Sequence, residues 1–531
     1  MRENGPQTPV PVQPEPHRRG GVRRRAAAIA AAAAFLLAAC SAGSGNGTGN
    51  GSGSGDGTGS PGADATVRIG LAAVPANLDF TTTGGAAIFQ ALAGNVYEGL
   101  VELDSDGQVQ PLLATDWTVS EDGLRYTFTL REGITFHDGA TFTAENVKFS
   151  LERLGEWSAN TPGNLAAIES VEVASPTEAT VVLSEPDAHL LYWLAGPLGA
   201  MFDPDSVSAL ATDANGTGPY TFGSYTNAVR MVLERNEEYW GEPAQVASVV
   251  LTYFADSSAA ANALRTGGVD ALFQAEAYDQ IASLESSEDF VVTTGSTPGL
   301  VMMALNANRD ALADPRVRQA IIHAIDKEAV LAAATSGYGT VLGGPTVPTD
   351  PFYVAEEPYP FDPEAARALL AEAGAEGLTL TFTVPNRPYA QTAAQVVQSD
   401  LAKVGVTARL EIQEFPAVWV ERTMGLQDFD MSVVLHVEPR SLTNYGNPDY
   451  YWSHDNPNTR DAFGRARASL DDDAYVAAMR EAVTSIVDDA ASVWLYNPPN
   501  IVVTRAGVEG LPVNYTGVGI DLGNLSVAAA G

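Results

Sequence analysis

Leu124, Tyr126, Phe128 and Leu130 alternate with polar residues, the period-two pattern of a half-buried strand. Val67 to Leu71 predicts another strand. Val171 to Ala174 and Thr180 to Leu183 flank Ser175-Pro176-Thr177-Glu178, whose residues suit a hairpin turn. Together these patterns predict a β-rich region over about 105–212.

Further on, the period switches back and forth. Val249 to Phe254 predicts a strand, Asp256 caps a helix running through Arg265, Gly267 and Gly268 stop it, and Val269 to Phe273 returns as a strand. Leu378, Leu380, Phe382 and Val384 alternate as a strand. A helix marked by Val397, Leu401 and Val404 follows, stopped by Gly405, and then Val406, Ala408, Leu410 and Ile412 alternate again. A helix over about 416–425 and a strand from Phe429 to Leu435 complete this stretch. Asp314-Pro315 and Asp362-Pro363 open two helices between the two regions, the second ended by Gly374. Strand–helix–strand units imply parallel sheets joined by right-handed crossovers, here as two separate α/β lobes.

The front of the chain differs. Five arginines between Arg18 and Arg25 precede the 14-residue apolar run Ala26 to Ala39, which meets Cys40 through Leu37-Ala38-Ala39. A basic stretch, a short apolar stretch and small residues before a cut describe an export signal over 1–39. The segment resembles a bacterial lipoprotein signal, which makes Cys40, the single cysteine of the chain, the lipidated first residue of the mature protein. Residues 40–63 form a Gly/Ser-rich tether, a flexible coil with a reach of roughly 25–30 Å. No apolar run reaches the roughly 18 residues of a spanning helix.

Charge excludes one class of partner. Lys and Arg total 29 against 65 Asp and Glu, a formal charge of −36, so nucleic acid finds no basic surface. Thiol catalysis has no free thiol, and neither Gly-x-Ser-x-Gly, His-Glu-x-x-His nor a phosphate loop occurs. The histidines show no metal-ligand spacing, so neither a metal nor a cofactor is expected. Asp138-Gly139 after His137 is expected to be a turn.

Ligands of open α/β sheets bind beyond the carboxyl ends of the strands. In the second lobe that edge offers Arg387 and Tyr389, then Trp419, then the loop beginning His436-Val437-Glu438-Pro439-Arg440 and running on to Tyr445 and Trp452. An extended chain would aim His436, Glu438 and Arg440 to one side. Acid, base and imidazole amid aromatics suit a polar organic ligand. Arg440 could hold a carboxylate or offset the Glu438 charge.

Several motifs in order are similar to the family 5 extracellular solute-binding proteins, the peptide receptors of ABC importers. They are Val96-Tyr97-Glu98-Gly99-Leu100-Val101, Pro111-Leu112-Leu113-Ala114-Thr115-Asp116-Trp117, Phe136-His137-Asp138-Gly139, Gly216-Thr217-Gly218-Pro219-Tyr220, Asn236-Glu237-Glu238-Tyr239-Trp240 and Asp314-Pro315-Arg316-Val317-Arg318. The resemblance spans about 66–515. It implies an α/β, two-lobed periplasmic-binding-protein-like clamshell with an extra β-rich subdomain on lobe I. Lobe I would comprise 64–105, 213–299 and 497–531, the subdomain 106–212 and lobe II 300–496. It also implies a monomeric, non-enzymatic receptor, lipid-anchored on the extracytoplasmic face of the bacterial cytoplasmic membrane. Such a receptor passes a small ligand to an ABC permease and its ATPase subunits. Peptide-binding relatives often hold the ligand's α-amino group on an Asp near an aromatic loop, a position that Glu438 would fill. Relatives that carry oligosaccharides or metal chelates keep those ligands open, and an extracellular hydrolase is the alternative from another class.

Overall fold

Six consecutive apolar residues, Leu300–Leu305, are buried at every position and divide between the two faces of a sheet, as strand geometry dictates. Val301, Met303 and Leu305 join Ile321, Phe382 and Val397 on one side. Leu300, Met302 and Ala304 join Trp419, Tyr445, Trp452 and Trp494 on the other. The computed structural model in which this is seen describes residues 64–105, 107–159 and 162–528. The signal, Cys40 and the tether lie outside the described residues.

The sheet around Leu300–Leu305 has six strands, in the order Thr340–Val341, Ser492–Asn497, Leu300–Leu305, Met431–His436, Thr379–Pro385 and Thr407–Gln413. The predicted strand–helix–strand unit is parallel: Thr379–Pro385 pairs with Thr407–Gln413 across the helix Pro388–Lys403. Met431–His436 continues it in parallel beside Thr379–Pro385, but the next strand reverses. Leu300–Leu305 runs antiparallel to both Met431–His436 and Ser492–Asn497, so the sheet is mixed and the expectation of parallel sheets is corrected. Hydrophobic period reveals a strand and its adjacent helix, but carries no direction for strands that arrive from elsewhere in the chain. The helix expected over 416–425 also changes character, being a short turn Ala417–Trp419 followed by a wider π-helical turn Val420–Gly425.

That six-stranded sheet is the second in chain order; the first sheet has seven strands and centres on Thr66–Leu71, which pairs in parallel with Ser248–Tyr253 and Ala271–Leu272. The Asp256 carboxylate accepts the Ala259 N–H at 2.7 Å, and Gly267 ends that helix at φ 75°, as its sequence predicts. The strand expected over 269–273 shortens to Ala271–Leu272. Between 114 and 183 a four-stranded antiparallel sheet forms, with the expected hairpin joining Ile168–Ser175 to Glu178–Leu183.

The chain passes between the two large sheets twice, from Phe290–Ser296 to Leu300–Leu305 and from Ser492–Asn497 to Pro499–Arg505. The Asn497 side chain pins the passages together, its Nδ2 donating to the carbonyls of Thr297 at 2.8 Å and Gly299 at 2.6 Å. Thr297 Oγ1 donates to the Pro498 carbonyl at 3.0 Å. Two crossings held side by side form a hinge.

Several of the motifs that carry the resemblance form scaffold. Glu98, buried, accepts hydrogen bonds from Thr217 Oγ1 at 2.7 Å, Tyr239 Oη at 2.7 Å and Trp240 Nε1 at 3.0 Å. Three separate motifs thereby meet at one carboxylate. A Cβ on Gly216 or Gly218 would overlap the Val96 or Asn95 carbonyl, so this approach requires glycine. His137 Nε2 sits 3.0 Å from the Gly218 carbonyl, and Asp138-Gly139 is the expected turn, with Gly139 at φ 89°.

Candidate functional site: the cleft between the lobes

Met431–His436 delivers its last residue to the hinge side of the second sheet, where Leu300 pairs with His436. His436 is buried, and its Nε2 lies 2.9 Å from Tyr451 Oη. Its Nδ1 lies 3.5 Å from Glu438 Oε2. An imidazole that donates from Nδ1 to the carboxylate and accepts the Tyr451 hydroxyl at Nε2 satisfies both neighbours.

The Glu438 side chain is 60% exposed, yet desolvation is the largest influence on its carboxyl. Desolvation pushes the pKa up, but the His436 imidazole and the backbone N–H groups of Glu438 and Val437 outweigh it and hold the carboxyl below its usual range. Tyr450, half-buried, lies close enough to feel the Glu438 charge. Near the end of the same strand, the Tyr389 hydroxyl accepts the Leu435 N–H at 3.0 Å. Arg387, exposed, stacks its guanidinium 5.3 Å from the Phe415 ring centroid.

The other predicted residues go elsewhere. Trp419, Tyr445 and Trp452 are at most 2% exposed and belong to the aromatic core on one face of the second sheet. Tyr445 stacks on Trp452 at 4.2 Å and donates to Ser492 Oγ at 2.8 Å, while Trp419 Nε1 donates to Ser432 Oγ at 3.1 Å. In this conformation they support the loop rather than offer surface. Arg440 leaves the side that His436 and Glu438 share. The chain turns at Pro439, Arg440 adopts φ 54°, and its guanidinium lies 3.4 Å over the ring of Tyr192. Alternating orientation needs an extended backbone, and extension ends at His436.

Sequence reasoning missed the facing wall. Glu276 and Tyr278 follow Ala271–Leu272 at the carboxyl edge of the first sheet. Glu276 is exposed, with burial by its surroundings raising its carboxyl. Tyr278 stands close enough to Tyr496 of the second sheet for the two phenols to interact. The carboxyl-edge rule applied to the first lobe would have found both.

One concavity, of ≈ 510 Å³, is an open groove along the helices Pro457–Arg467 and Asp472–Asp488, with Arg480, Glu481, Asp488 and Asp489 in its lining. Among the described residues no cluster of His, Cys, Asp or Glu has the makings of a metal site, and no helix is long and apolar enough to cross a membrane.

Comparison with known proteins agrees with this architecture. The glutathione-binding protein GsiB of Salmonella typhimurium is 32% identical over 336 residues, 60% of this chain and 64% of that protein. GsiB of Escherichia coli O157:H7 is 31% identical over 334 residues, with the same two shares. The chain thus spans under two thirds of the length of these curated relatives. Among solved structures, NikA from Brucella suis in complex with Fe(III)-EDTA matches with a TM-score of 0.78 at 24% identity, covering 87% of this chain and 100% of that one. DppA from Helicobacter pylori in complex with the peptide STSA matches with a TM-score of 0.73 at 24% identity, covering 87% and 98%. These neighbours show the fold, a two-lobed periplasmic-binding-protein architecture. The family model described as bacterial extracellular solute-binding proteins, family 5 Middle, matches residues 108–462, and with two thirds of its length inside that match the chain belongs to the family 5 bacterial extracellular solute-binding proteins.

Proposed function

We propose that this protein is the extracytoplasmic receptor of an ABC importer, lipidated on Cys40, that captures a small peptide-like solute and delivers it to the permease without chemical turnover. The observation that carries the ligand class is Glu438, a largely exposed carboxylate beside His436, just past the carboxyl end of a strand, that His436 helps hold below its usual range. A cationic amine donates to such a group in a charge-assisted hydrogen bond. Relatives named for glutathione support a short, amine-bearing ligand. Lobe I is taken as 64–105, 213–299 and 497–531, the β-rich subdomain as 106–212 and lobe II as 300–496, and the receptor acts as a monomer. Arg387 and Tyr389 complete the lobe II wall.

The test is calorimetry with glutathione and with free-amine di- and tripeptides, each paired with its N-acetylated form, alongside mass spectrometry of whatever co-purifies. Stoichiometric binding of a free-amine peptide, lost on acetylation and without turnover, is expected. Equal affinity for both forms removes Glu438 as the amine site, and turnover overturns the receptor reading.

A further inference from the structure

The two lobes touch at a place that the hinge does not require. On one side is the segment 185–192 of the β-rich region, ending in the helix Leu190–Leu194. On the other are Arg440, Arg467 and Tyr475 of the second lobe. The Arg440 guanidinium stacks 3.4 Å over the ring of Tyr192 and lies 5.9 Å from the ring of Tyr475. The Tyr475 ring meets His189 edge-on at 5.4 Å. Arg467 pairs with Glu185 at 2.9 Å and Asp187 at 3.4 Å. The Ala188 N–H donates to the Arg467 carbonyl at 2.8 Å, a backbone bond between lobes. Beside the stack a small cavity lined by Tyr192, Asp350, Pro439 and Arg440 leaves ≈ 10 Å³ open to the centre of a water molecule, room for about one.

We propose that Arg440 is a latch: its stack on Tyr192 holds the lobes together and sets the balance between closed and open forms, rather than contacting the ligand. Three features support a contact made and broken in function. A planar guanidinium over a phenol is favourable and needs no fixed hydrogen-bond register. Arg440 nevertheless adopts φ 54°, a left-handed backbone that costs a non-glycine residue free energy. Arg440 Nε, His189 Nε2 and Tyr475 Oη are buried at this interface without a hydrogen-bond partner. Opening the lobes returns all three to water, which offsets part of what the stack and the ion pairs contribute. The result is a weak, reversible latch. Hinge rotation about the two crossing strands must separate this face.

The inference rests on the two-lobed reading but not on the ligand's identity, so its test uses no ligand. Hydrogen–deuterium exchange on the full chain reads the Ala188 amide, whose acceptor is on the other lobe. A cation–π contact is sized to change the closed-to-open ratio by roughly two- to thirtyfold. Arg440→Ala and Tyr192→Ala should each raise Ala188 exchange by that factor, and the double variant should add little. Tyr192→Phe keeps the ring and should leave exchange as it is. Amides of the sheet strand Arg125–Leu130 serve as the control. Unchanged Ala188 exchange in both alanine variants overturns the latch. A matching rise in the sheet strand also overturns it, because it shows local unfolding of the β-rich region instead of lobe separation.

Discussion

Glu98 and Glu438 are both glutamates among aromatic side chains, and they are used in opposite ways. Glu98 is buried and receives donors from Thr217, Tyr239 and Trp240, so its acceptor capacity is spent inside the protein. Glu438 has His436 at 3.5 Å and nearby backbone N–H groups as neighbours, and most of its side chain faces solvent. A carboxylate surrounded by donors fixes three chain segments relative to one another. One left largely exposed is free to take a further donor from a ligand. The difference in satisfaction, not in residue type, separates scaffold from recognition.

The largest expected effect breaks the scaffold side. Glu98→Ala strands one buried donor, Thr217, and two half-buried ones, Tyr239 and Trp240, each worth up to about 1–3 kcal/mol when left unpaired, so a loss of about 3–5 kcal/mol is expected. A lower denaturant midpoint would report it. A midpoint within experimental error of the parent would mean the three segments do not depend on this carboxylate.

The pH dependence of stability sharpens the same contrast. Burial pushes the Glu98 carboxyl up to about 7 against the lowering pull of its donors. The folded chain therefore holds that proton more tightly than the unfolded chain does. The stability it contributes is full below about pH 4.5 and is lost as pH rises from there to about 7, up to about 3 kcal/mol. Glu98→Gln cannot titrate, so the parent should lose stability relative to it across that window. A constant difference between the two would show that the group is ionised throughout. Glu438, held low by His436, should give no matching loss over that window.

The smallest effect lies on the recognition side. Glu438→Gln should weaken binding of an amine-bearing peptide by about tenfold to a hundredfold, the worth of a hydrogen bond to a charged group. The denaturant midpoint of the ligand-free protein should barely move. A large fall in that midpoint would place Glu438 with Glu98 as a structural residue and erase the distinction between them.

Much of the fold was legible because its signals are local. Asp256 and Gly267 bound a helix as their chemistry predicts, Asp314 and Asp362 cap theirs through backbone N–H groups, and the 175–178 hairpin forms. The site was legible in part. His436, Glu438 and Tyr389 come together because each follows from strand ends and the carboxyl-edge rule. Arg440 did not follow its spacing, because a turn at Pro439 interrupts the extension that period-two reasoning assumes. Trp419, Tyr445 and Trp452 went to the core because burying large aromatic area outweighs presenting it to solvent.

By itself the sequence determined the basic and apolar run before Cys40, the acidic charge, the helix and strand periods, and the family motifs. Tertiary structure alone decided that Glu98 gathers three of those motifs, that Asn497 pins the two crossings, that Tyr278 stands beside Tyr496 of the second lobe, and that Arg440 meets Tyr192. Periodicity and caps act over a few residues and are written locally. These contacts join residues up to about two hundred positions or more apart, and they exist only once both sheets have formed and the chain has crossed between them twice.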